Sequence, residues 1–185
     1  MRTASQTVGP FFLDALIHRR DEVLVKPGSE GEQIVVEGRV FDGEGNAVCD
    51  AVLEIVQADA TGCYVKDDAD LRAVSRFTGF GRAATDATGT FHFTTIYPGA
   101  MRARDGSGEA PHLDLMVFAR GLLKPLVTRI YFAGDARNAH DAVLAQIPAH
   151  RRSTLEARLD SDGNGEIWRF DVRLQGKDET VFFDF

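Results

Sequence analysis

The sequence predicts an all-β fold: a mostly antiparallel β-sandwich with a short helical excursion and extended N- and C-terminal arms. Two observations support this prediction. Stretches in which apolar and polar residues alternate recur along the chain, as expected for strands with one buried face. Turn-forming pairs such as Asp42-Gly43 and Asp105-Gly106 separate these stretches. Short strands divided by frequent turns are typical of sandwiches and barrels.

Six strands and one main domain follow from this pattern. The alternating stretches, in chain order, are 33–41, 51–59, 90–96, 111–120, 126–132 and 166–176. The loops predicted at 60–82 and 97–110 are long and contain several glycines, and long loops on a β scaffold often carry a functional site. We assign residues 1–32 to an N-terminal arm and residues 33–185 to the sandwich domain.

Two short helices are predicted between the fifth and sixth strands. The first covers 141–148, where an aspartate supplies an N-cap and a proline ends the helix. The second covers 151–159, because Leu155 and Leu159 are four residues apart and would share one helix face.

Composition narrows the possible functions. The chain has 185 residues, enough for a sizeable core, and a formal net charge of −7, which disfavours nucleic acid or an anionic membrane as a partner. No stretch approaches the roughly 20 apolar residues of a membrane helix, and no secretory signal is recognisable. Cys49 and Cys63 fit neither a disulfide framework nor a zinc motif, so we expect two buried thiols in a reducing cytoplasm.

Both ends of the chain are unusually apolar. Phe11 and Phe12 lie in the N-terminal arm, and the tail reads "TVFFDF". These side chains need burial against the chain's own domain or against a partner, because together they would otherwise form a large exposed apolar patch. Two such arms favour a large obligate interface.

The stretch "EAPHLDLMVFARG" contains a polar pair within a predicted strand. His112 and Asp114 are two residues apart and therefore point to the same face. Such a pair could bind a metal, share a proton or form a buried pair, and the two residues alone leave these alternatives open. Tyr64, Tyr97 and His92 are further candidates, since a set of two tyrosines and two histidines would favour a hard, oxidised iron.

Three segments, "DGEGNAVCDAVLEIVQADATGCY", "FGRAATDATGTFHFTTIYPGAM" and "APHLDL", occur in an order that resembles the intradiol ring-cleavage dioxygenases. The segments "SQTVGPFF", "LMVFARG", "TRIYF" and "ETVFFDF" are similar to the alpha subunits of heteromeric, protocatechuate-cleaving members of that family. The resemblance covers nearly the whole chain. It implies a prealbumin-like sandwich and a part in cytoplasmic aromatic catabolism, with ring cleavage by O2.

Catalytic members of this family hold a ferric ion with two tyrosines and two histidines. By resemblance, Tyr64 and His112 stand at two of these ligand positions, whereas Met101 and Asp114 replace the other two. Glu109 replaces an arginine that assists the chemistry in catalytic chains. A thioether is a weak ligand for a ferric ion. The resemblance therefore implies a degenerate site that holds no metal, and no intact catalytic set in this chain.

The same resemblance implies a partner. Alpha subunits of this kind pair with a beta subunit that binds the Fe(III), in a hetero-oligomer of alpha/beta pairs. Thr7, Gly9, Pro10 and Arg120 are then expected to complete the substrate pocket of the beta subunit. Arginine suits this role because it can form a bidentate pair of hydrogen bonds with the carboxylate of a carboxylated catechol. A structural ion pair is the alternative role for Arg120.

Two other functions remain open at this stage. A self-sufficient, homo-oligomeric intradiol dioxygenase would require an intact ligand set, and Met101 and Asp114 argue against one. A non-enzymatic sandwich that binds a small molecule or acts as a scaffold is also compatible with the predicted fold, but the two apolar arms favour a subunit of a larger assembly.

Overall fold

The computed structural model describes residues 3–9, 11–17, 20–65, 76–102, 106–160 and 166–184. The described part is mostly β, as predicted. Its strands are β1 Gln33–Phe41, β2 Val52–Gln57, β3 Phe80–Ala84, β4 Thr90–Ile96, β5 Met101–Arg102, β6 Gly108–Glu109, β7 His112–Phe118, β8 Leu126–Phe132, β9 Glu156–Asp160, β10 Ile167–Arg169 and β11 Val172–Arg173. Short α-helices cover Phe11–Leu16, Ala142–Gln146 and Ala149–Arg152, and 3-10 helices cover Ala136–His140 and Ser153–Leu155.

Most of the described strands belong to one mixed sheet. Their order is β11-β1-β10-β9-β8-β7-β2-β3, and β4 also pairs with β1. The β1–β4, β2–β3, β2–β7, β7–β8 and β9–β10 pairs are antiparallel. In contrast, β1 runs parallel to β10 and β11, and β8 runs parallel to β9. The strands β5 and β6 form a separate two-stranded ribbon.

The six predicted strands are all present. β1, β4 and β8 have the predicted bounds, while β2 and β7 are shorter than predicted by a few residues. The predicted strand 166–176 is divided into β10 and β11, with Phe170 and Asp171 between them. The side chain of Asp171 accepts a hydrogen bond from the backbone nitrogen of Arg39 at 3.0 Å, so the break still contacts β1.

Strand β3 begins inside the predicted loop 60–82, extends two residues beyond it and was not expected from the sequence. Its residues, "FGRAA", include no β-branched side chain, so local preference gives little strand signal. Packing explains why a strand forms there. Gly81 lies so close to Leu24 that a Cβ on residue 81 would overlap the leucine side chain. The small ribbon of β5 and β6 also falls inside a predicted loop, 97–110.

The predicted helix 151–159 is wrong in its second half. The helix ends at Arg152, and the chain enters β9 at Glu156. Leu155 is fully buried whereas Leu159 is 45% exposed, so the two leucines do not share one apolar face. Strand β9 pairs with β8 at its start and with β10 at its end, and this non-local pairing overrides the local helical preference.

One main apolar core contains side chains from both ends of the strand order. It contains apolar side chains of β1 and β4, such as Val36 and Phe93, together with side chains of β2 and β7, such as Leu53 and Leu115. Leu24, which lies within the predicted N-terminal arm, is fully buried in the same core. A second, smaller cluster of apolar residues surrounds Tyr131, Leu144 and Leu155.

The apolar ends pack only in part. Phe12 contacts the ring of Phe118, with the ring centroids 5.3 Å apart, whereas Phe11 is 78% exposed. In the tail, the backbone nitrogen of Phe183 donates to the Val127 carbonyl at 2.8 Å. The aromatic residue at 185 lies outside the described residues.

The expectation of buried thiols is wrong. Cys49 and Cys63 are both free and exposed. Cys49 lies in the segment before β2, and Cys63 lies in the loop after it, so neither is on a buried strand face. Among the described residues, no helix combines the length and apolar character needed to span a membrane.

Asp135 provides a test of how loop charges contribute to stability. Its carboxylate accepts a hydrogen bond from the Tyr97 hydroxyl at 2.9 Å and pairs with Arg137 at 2.6 Å. The hydrogen bond from Arg137 is the main cause that lowers the pKa of Asp135 to about 2. A lowered folded-state pKa means that this stabilisation is present above the unfolded-state pKa and is lost as the pH falls through the folded-state value.

We therefore expect Asp135→Asn to lower the free energy of unfolding by about 2 kcal/mol at pH 7. The asparagine can still cap the following 3-10 helix, so the change isolates the charge. Denaturant unfolding at several pH values measures the effect. The difference from the parent chain should shrink as the pH falls from about 4 towards 2, and a difference that does not depend on pH would contradict this interpretation.

Candidate functional site

The candidate site lies on one face of strands β7 and β8. Their antiparallel register places His112 opposite Tyr131 and Asp114 opposite Arg129. Since alternate residues of a strand point to the same face, these four side chains are neighbours. The rings of His112 and Tyr131 have centroids 5.5 Å apart, and the Arg129 Nε donates to the Asp114 Oδ1 at 3.0 Å.

The loop that carries Tyr64 contacts the segment that leads into Met101 on β5. The loops touch at Gly62 and Gly99, where a Cβ on residue 99 would collide with the Gly62 nitrogen. The Gly99 nitrogen donates to the Asp59 carbonyl at 2.9 Å, which fixes the contact. Gly62 also has a φ of +83°, a conformation that favours glycine. This close backbone approach explains why glycine is needed in both loops.

The Asp59 side chain holds the loop that carries Tyr64. It accepts hydrogen bonds from the Thr61 nitrogen at 2.8 Å, the Thr61 hydroxyl at 2.7 Å and the Cys63 nitrogen at 3.0 Å. Burial alone would raise the pKa of Asp59, but these hydrogen bonds outweigh it and lower the pKa. The loop is therefore built around an ionised carboxylate.

Arg129 lies at the centre of a cluster of charges. Its Nη1 pairs with the Glu109 Oε2 at 2.7 Å, while its Nε pairs with the Asp114 Oδ1 at 3.0 Å. The same Nη1 lies 3.4 Å from the Tyr131 hydroxyl. The side chains of Arg129 and Glu109 are only 15% and 14% exposed, so this ion pair is shielded from water and its charges interact strongly, whereas the Asp114 side chain is 34% exposed.

His112 is buried and neutral. Its Nδ1 donates to the Ala110 carbonyl at 2.7 Å, which leaves the Nε2 unprotonated. Burial lowers the pKa of His112, and the positive charge of Arg129 lowers it further. The Nε2 has no hydrogen-bond partner, although the Glu109 Oε2 and the Asp114 Oδ1 each lie 3.6 Å away.

Tyr64 is a protonated phenol in this arrangement. Its hydroxyl donates to the Asp114 Oδ2 at 3.0 Å. Burial raises the pKa of Tyr64, and the negative charge of Asp114 raises it further. Asp114 therefore accepts hydrogen bonds on both carboxylate oxygens, one from the phenol and one from Arg129.

Asp141 connects the site to the helical excursion. Its buried carboxylate accepts hydrogen bonds from the backbone nitrogens of Ala110, Val143 and Leu144 at 2.8, 2.9 and 2.7 Å. It also accepts one from the Tyr131 hydroxyl at 3.1 Å. One side chain thus caps the helix Ala142–Gln146 and fixes the segment that leads into β7.

The predicted site residues come together only in part. Tyr64, His112 and Asp114 share the face described above, and Met101 is buried on β5 in register with a residue of β6. Tyr97 lies elsewhere, because its ring packs on Phe132 at a centroid distance of 4.3 Å. Tyr64 and Tyr97 therefore do not belong to the same site.

The donors present at the site do not suit a ferric ion. Tyr64 is neutral, Met101 offers only a thioether, and the carboxylate of Asp114 is already paired with Arg129. Among the residues that the structure describes, no group of three or more His, Cys, Asp or Glu side chains is arranged to hold a metal ion.

The residues predicted to reach a partner lie at the other end of β7. The Thr7 hydroxyl accepts a hydrogen bond from the Gly121 nitrogen at 2.8 Å, which docks the N-terminal arm on the turn after β7. Gly9 is exposed, and its carbonyl accepts from the Phe12 nitrogen at 3.0 Å. Pro10 lies outside the described residues.

Arg120 is close to this arm and far from the charge cluster. It forms an ion pair with Asp50, yet its side chain is 70% exposed. It follows His112 by eight residues, which corresponds to about 25 Å along an extended chain. The chain therefore carries two separate candidate regions, one at each end of β7.

Sequence analysis did not identify Arg129, Tyr131 or Asp141 as members of this cluster. Arg129 and Tyr131 lie in the segment "TRIYF", and Asp141 was predicted only as a helix N-cap. A charged arginine between the apolar residues of β8 was the available signal, because a buried arginine needs carboxylate partners. Its position opposite Asp114 depends on the strand register, and the register was not predicted.

Comparison with known proteins identifies the class. Residues 7–176 match the family model described as Dioxygenase. The chain belongs to the intradiol dioxygenase family, and the family resemblance inferred from its sequence is confirmed. It is 43% identical to the protocatechuate 3,4-dioxygenase alpha chain of Burkholderia cepacia, over 99% of this chain and 97% of that one. It is 36% identical to the beta chain from the same organism, over 91% of this chain and 75% of that one.

Solved structures agree with this assignment. The dioxygenase domain of a carbohydrate-binding fusion protein from Streptomyces sp. SirexAA-E superposes with a TM-score of 0.66 at 28% identity. The match covers 84% of this chain and 87% of that domain.

Asp141 offers a test of the site's architecture. We expect Asp141→Ala to lower the free energy of unfolding by about 3 kcal/mol or more, because several buried donors lose their acceptor at once. Asp141→Asn retains the shape and part of the acceptor capacity, so its loss should be smaller. Urea denaturation of the three proteins measures both effects, and a loss near zero for the alanine variant would contradict the role assigned to this carboxylate.

Proposed function

We propose that this chain is the alpha subunit of an alpha/beta protocatechuate 3,4-dioxygenase. The complex cleaves the substrate between its two hydroxyl-bearing carbons with O2 and forms 3-carboxy-cis,cis-muconate. It acts in the cytoplasm, in the β-ketoadipate pathway of aromatic catabolism. Similarity to an alpha chain over almost the full length of both proteins supports this assignment.

The observation that carries the proposal is the pairing of Asp114 with Arg129. A ligand position of the catalytic family is occupied here by a carboxylate that already forms an ion pair with Arg129. His112 is neutral beside it, and Tyr64 keeps its proton. We therefore propose that this chain binds no iron and that the partner beta subunit holds the Fe(III).

In the complex, this chain contributes to the substrate pocket. The ferric ion of the partner would make a bound catecholate reactive towards O2. Thr7, Gly9 and Pro10 of the arm, together with Arg120, would form the part of the pocket wall that comes from this chain. A docked arm supports this role, since Thr7 is already hydrogen bonded beside Arg120 through the Gly121 nitrogen.

Arg120 would recognise the substrate carboxylate. Its guanidinium is largely exposed, and among the described residues it forms an ion pair with Asp50. A surface ion pair of this kind contributes little to stability, so a better-placed carboxylate can compete for the guanidinium. Arginine also presents several donors in one plane, which suits a carboxylate on an aromatic ring.

The fold proposed for the domain is a prealbumin-like sandwich. The strands β1, β4 and β10 would form one layer, and β2, β3, β7 and β8 the other. The shared core supports this arrangement, because Val36 and Phe93 from the first group lie in one cluster with Leu53 and Leu115 from the second. Residues 1–32 would remain an arm, with the exposed Phe11 available to the partner.

Iron content tests the proposal directly. We expect the chain purified alone to contain no stoichiometric iron and to show no protocatechuate-dependent oxygen uptake. Co-expression with its beta partner should yield both. Metal analysis and an oxygen electrode give the two readouts, and iron with turnover in the lone chain would show that Tyr64, His112 and Asp114 form a working site.

Arg120 provides a second test in the alpha/beta complex. We expect Arg120→Ala to raise the KM for protocatechuate by about tenfold, because a charge-assisted hydrogen bond to the substrate is lost. Iron content should not change. Arg158→Ala, on the exposed part of β9, is the matched control and should leave the KM unchanged. An unaltered KM in Arg120→Ala would mean that this arginine only forms its ion pair with Asp50 and does not bind the substrate.

A further inference from the structure

We propose that the Arg129 guanidinium takes the place of a metal ion, and that removing its charge turns His112, Glu109 and Asp114 into a site for a divalent transition-metal ion. The inference deepens the proposed function and rests on its claim that this chain binds no iron. It concerns only side chains of this chain.

The guanidinium has the surroundings expected of a bound cation. Two carboxylates, from Glu109 and Asp114, approach it at 2.7 and 3.0 Å, and the Tyr131 oxygen lies 3.4 Å away. The partners come from three strands, β6, β7 and β8, so the positive charge holds together segments that are distant in the chain. Removing one member of such a buried network leaves uncompensated charge, which is costly.

The imidazole of His112 is oriented as metal-binding histidines usually are. Its Nδ1 proton is held by the Ala110 carbonyl, and this fixes both the ring orientation and the tautomer. The opposite nitrogen, Nε2, is fully buried, unprotonated and without a hydrogen-bond partner. A buried nitrogen lone pair that faces two carboxylate oxygens is available as a metal ligand.

The distances from the His112 imidazole to each of the two carboxylates are compatible with coordination. The His112 Nε2 lies 3.6 Å from the Glu109 Oε2 and 3.6 Å from the Asp114 Oδ1. Ligands at roughly 2.1 Å from a tetrahedral zinc-like ion are roughly 3.4 Å apart, so only small side-chain movements would be needed. One imidazole and two carboxylates form a donor set that divalent ions such as Zn²⁺ and Co²⁺ accept.

Arg129 explains why the described residues do not form a metal cluster in the parent chain. The guanidinium pairs with both carboxylates and reduces their combined charge from −2 to −1. A divalent ion placed beside it would be repelled by its positive charge.

The experiment compares Co²⁺ binding by the full chain and by Arg129→Met, whose side chain keeps apolar volume but has no charge. Equilibrium dialysis measures the stoichiometry, and the visible absorption of Co²⁺ reports its coordination. We expect the Arg129→Met variant to bind about one equivalent of Co²⁺, roughly 100-fold more tightly than the parent chain binds it. Arg129→Lys keeps the positive charge and is the matched control, so it should behave like the parent.

A second variant identifies the ligand. Arg129→Met combined with His112→Ala should lose the cobalt spectrum, because the nitrogen ligand is gone. If Arg129→Met is unfolded without metal, Co²⁺ should restore its near-ultraviolet circular dichroism. Absence of that recovery, or a folded variant that binds no Co²⁺, would overturn the inference. Equal Co²⁺ binding by the parent chain would overturn it as well.

These outcomes are distinct from failure of the proposed function. Stoichiometric iron in the parent chain purified alone would contradict the alpha-subunit role. A folded Arg129→Met that binds no Co²⁺ would contradict only the idea that the guanidinium replaces a metal.

Discussion

The register between β7 and β8 is the constraint on which the candidate site depends. It places Asp114 opposite Arg129 and His112 opposite Tyr131, so a carboxylate meets a cation across the two strands. A slip of one residue would turn every one of these side chains to the other face of the sheet. The apolar residues between them, such as Leu113 and Ile130, are fully buried and hold the register in place.

Much of the fold could be predicted from the sequence, because alternation of apolar and polar residues reports directly on strands with one buried face. The strands β1, β4 and β8 have the predicted bounds for this reason. β3 and β9 could not be found in this way. Gly81 in β3 and Ala157 in β9 are small, and their strand conformation comes from contact with distant segments rather than from local preference.

The candidate site, like the fold, could be predicted only in part from the sequence. Tyr64 and His112 could be recognised as retained ligand positions, and Met101 and Asp114 as altered ones, because all four lie in motifs that resemble those of the family. The role of Arg129 could not be recognised, since it depends on a cross-strand contact. The sequence shows which ligand is lost. Only the packing of the neighbouring strands shows which contacts replace it.

The arrangement of β1 has a consequence for the order in which the protein is made. Its residues pair with β4 on one side, and with β10 and β11, close to the end of the chain, on the other. During synthesis from the N-terminus, β1 and β4 emerge long before the strands of residues 167–173. One edge of β1 must therefore remain unpaired until residues 167–173 have left the ribosome. Such an edge is a template for pairing with other chains, which makes the nascent protein depend on prompt completion or on a chaperone.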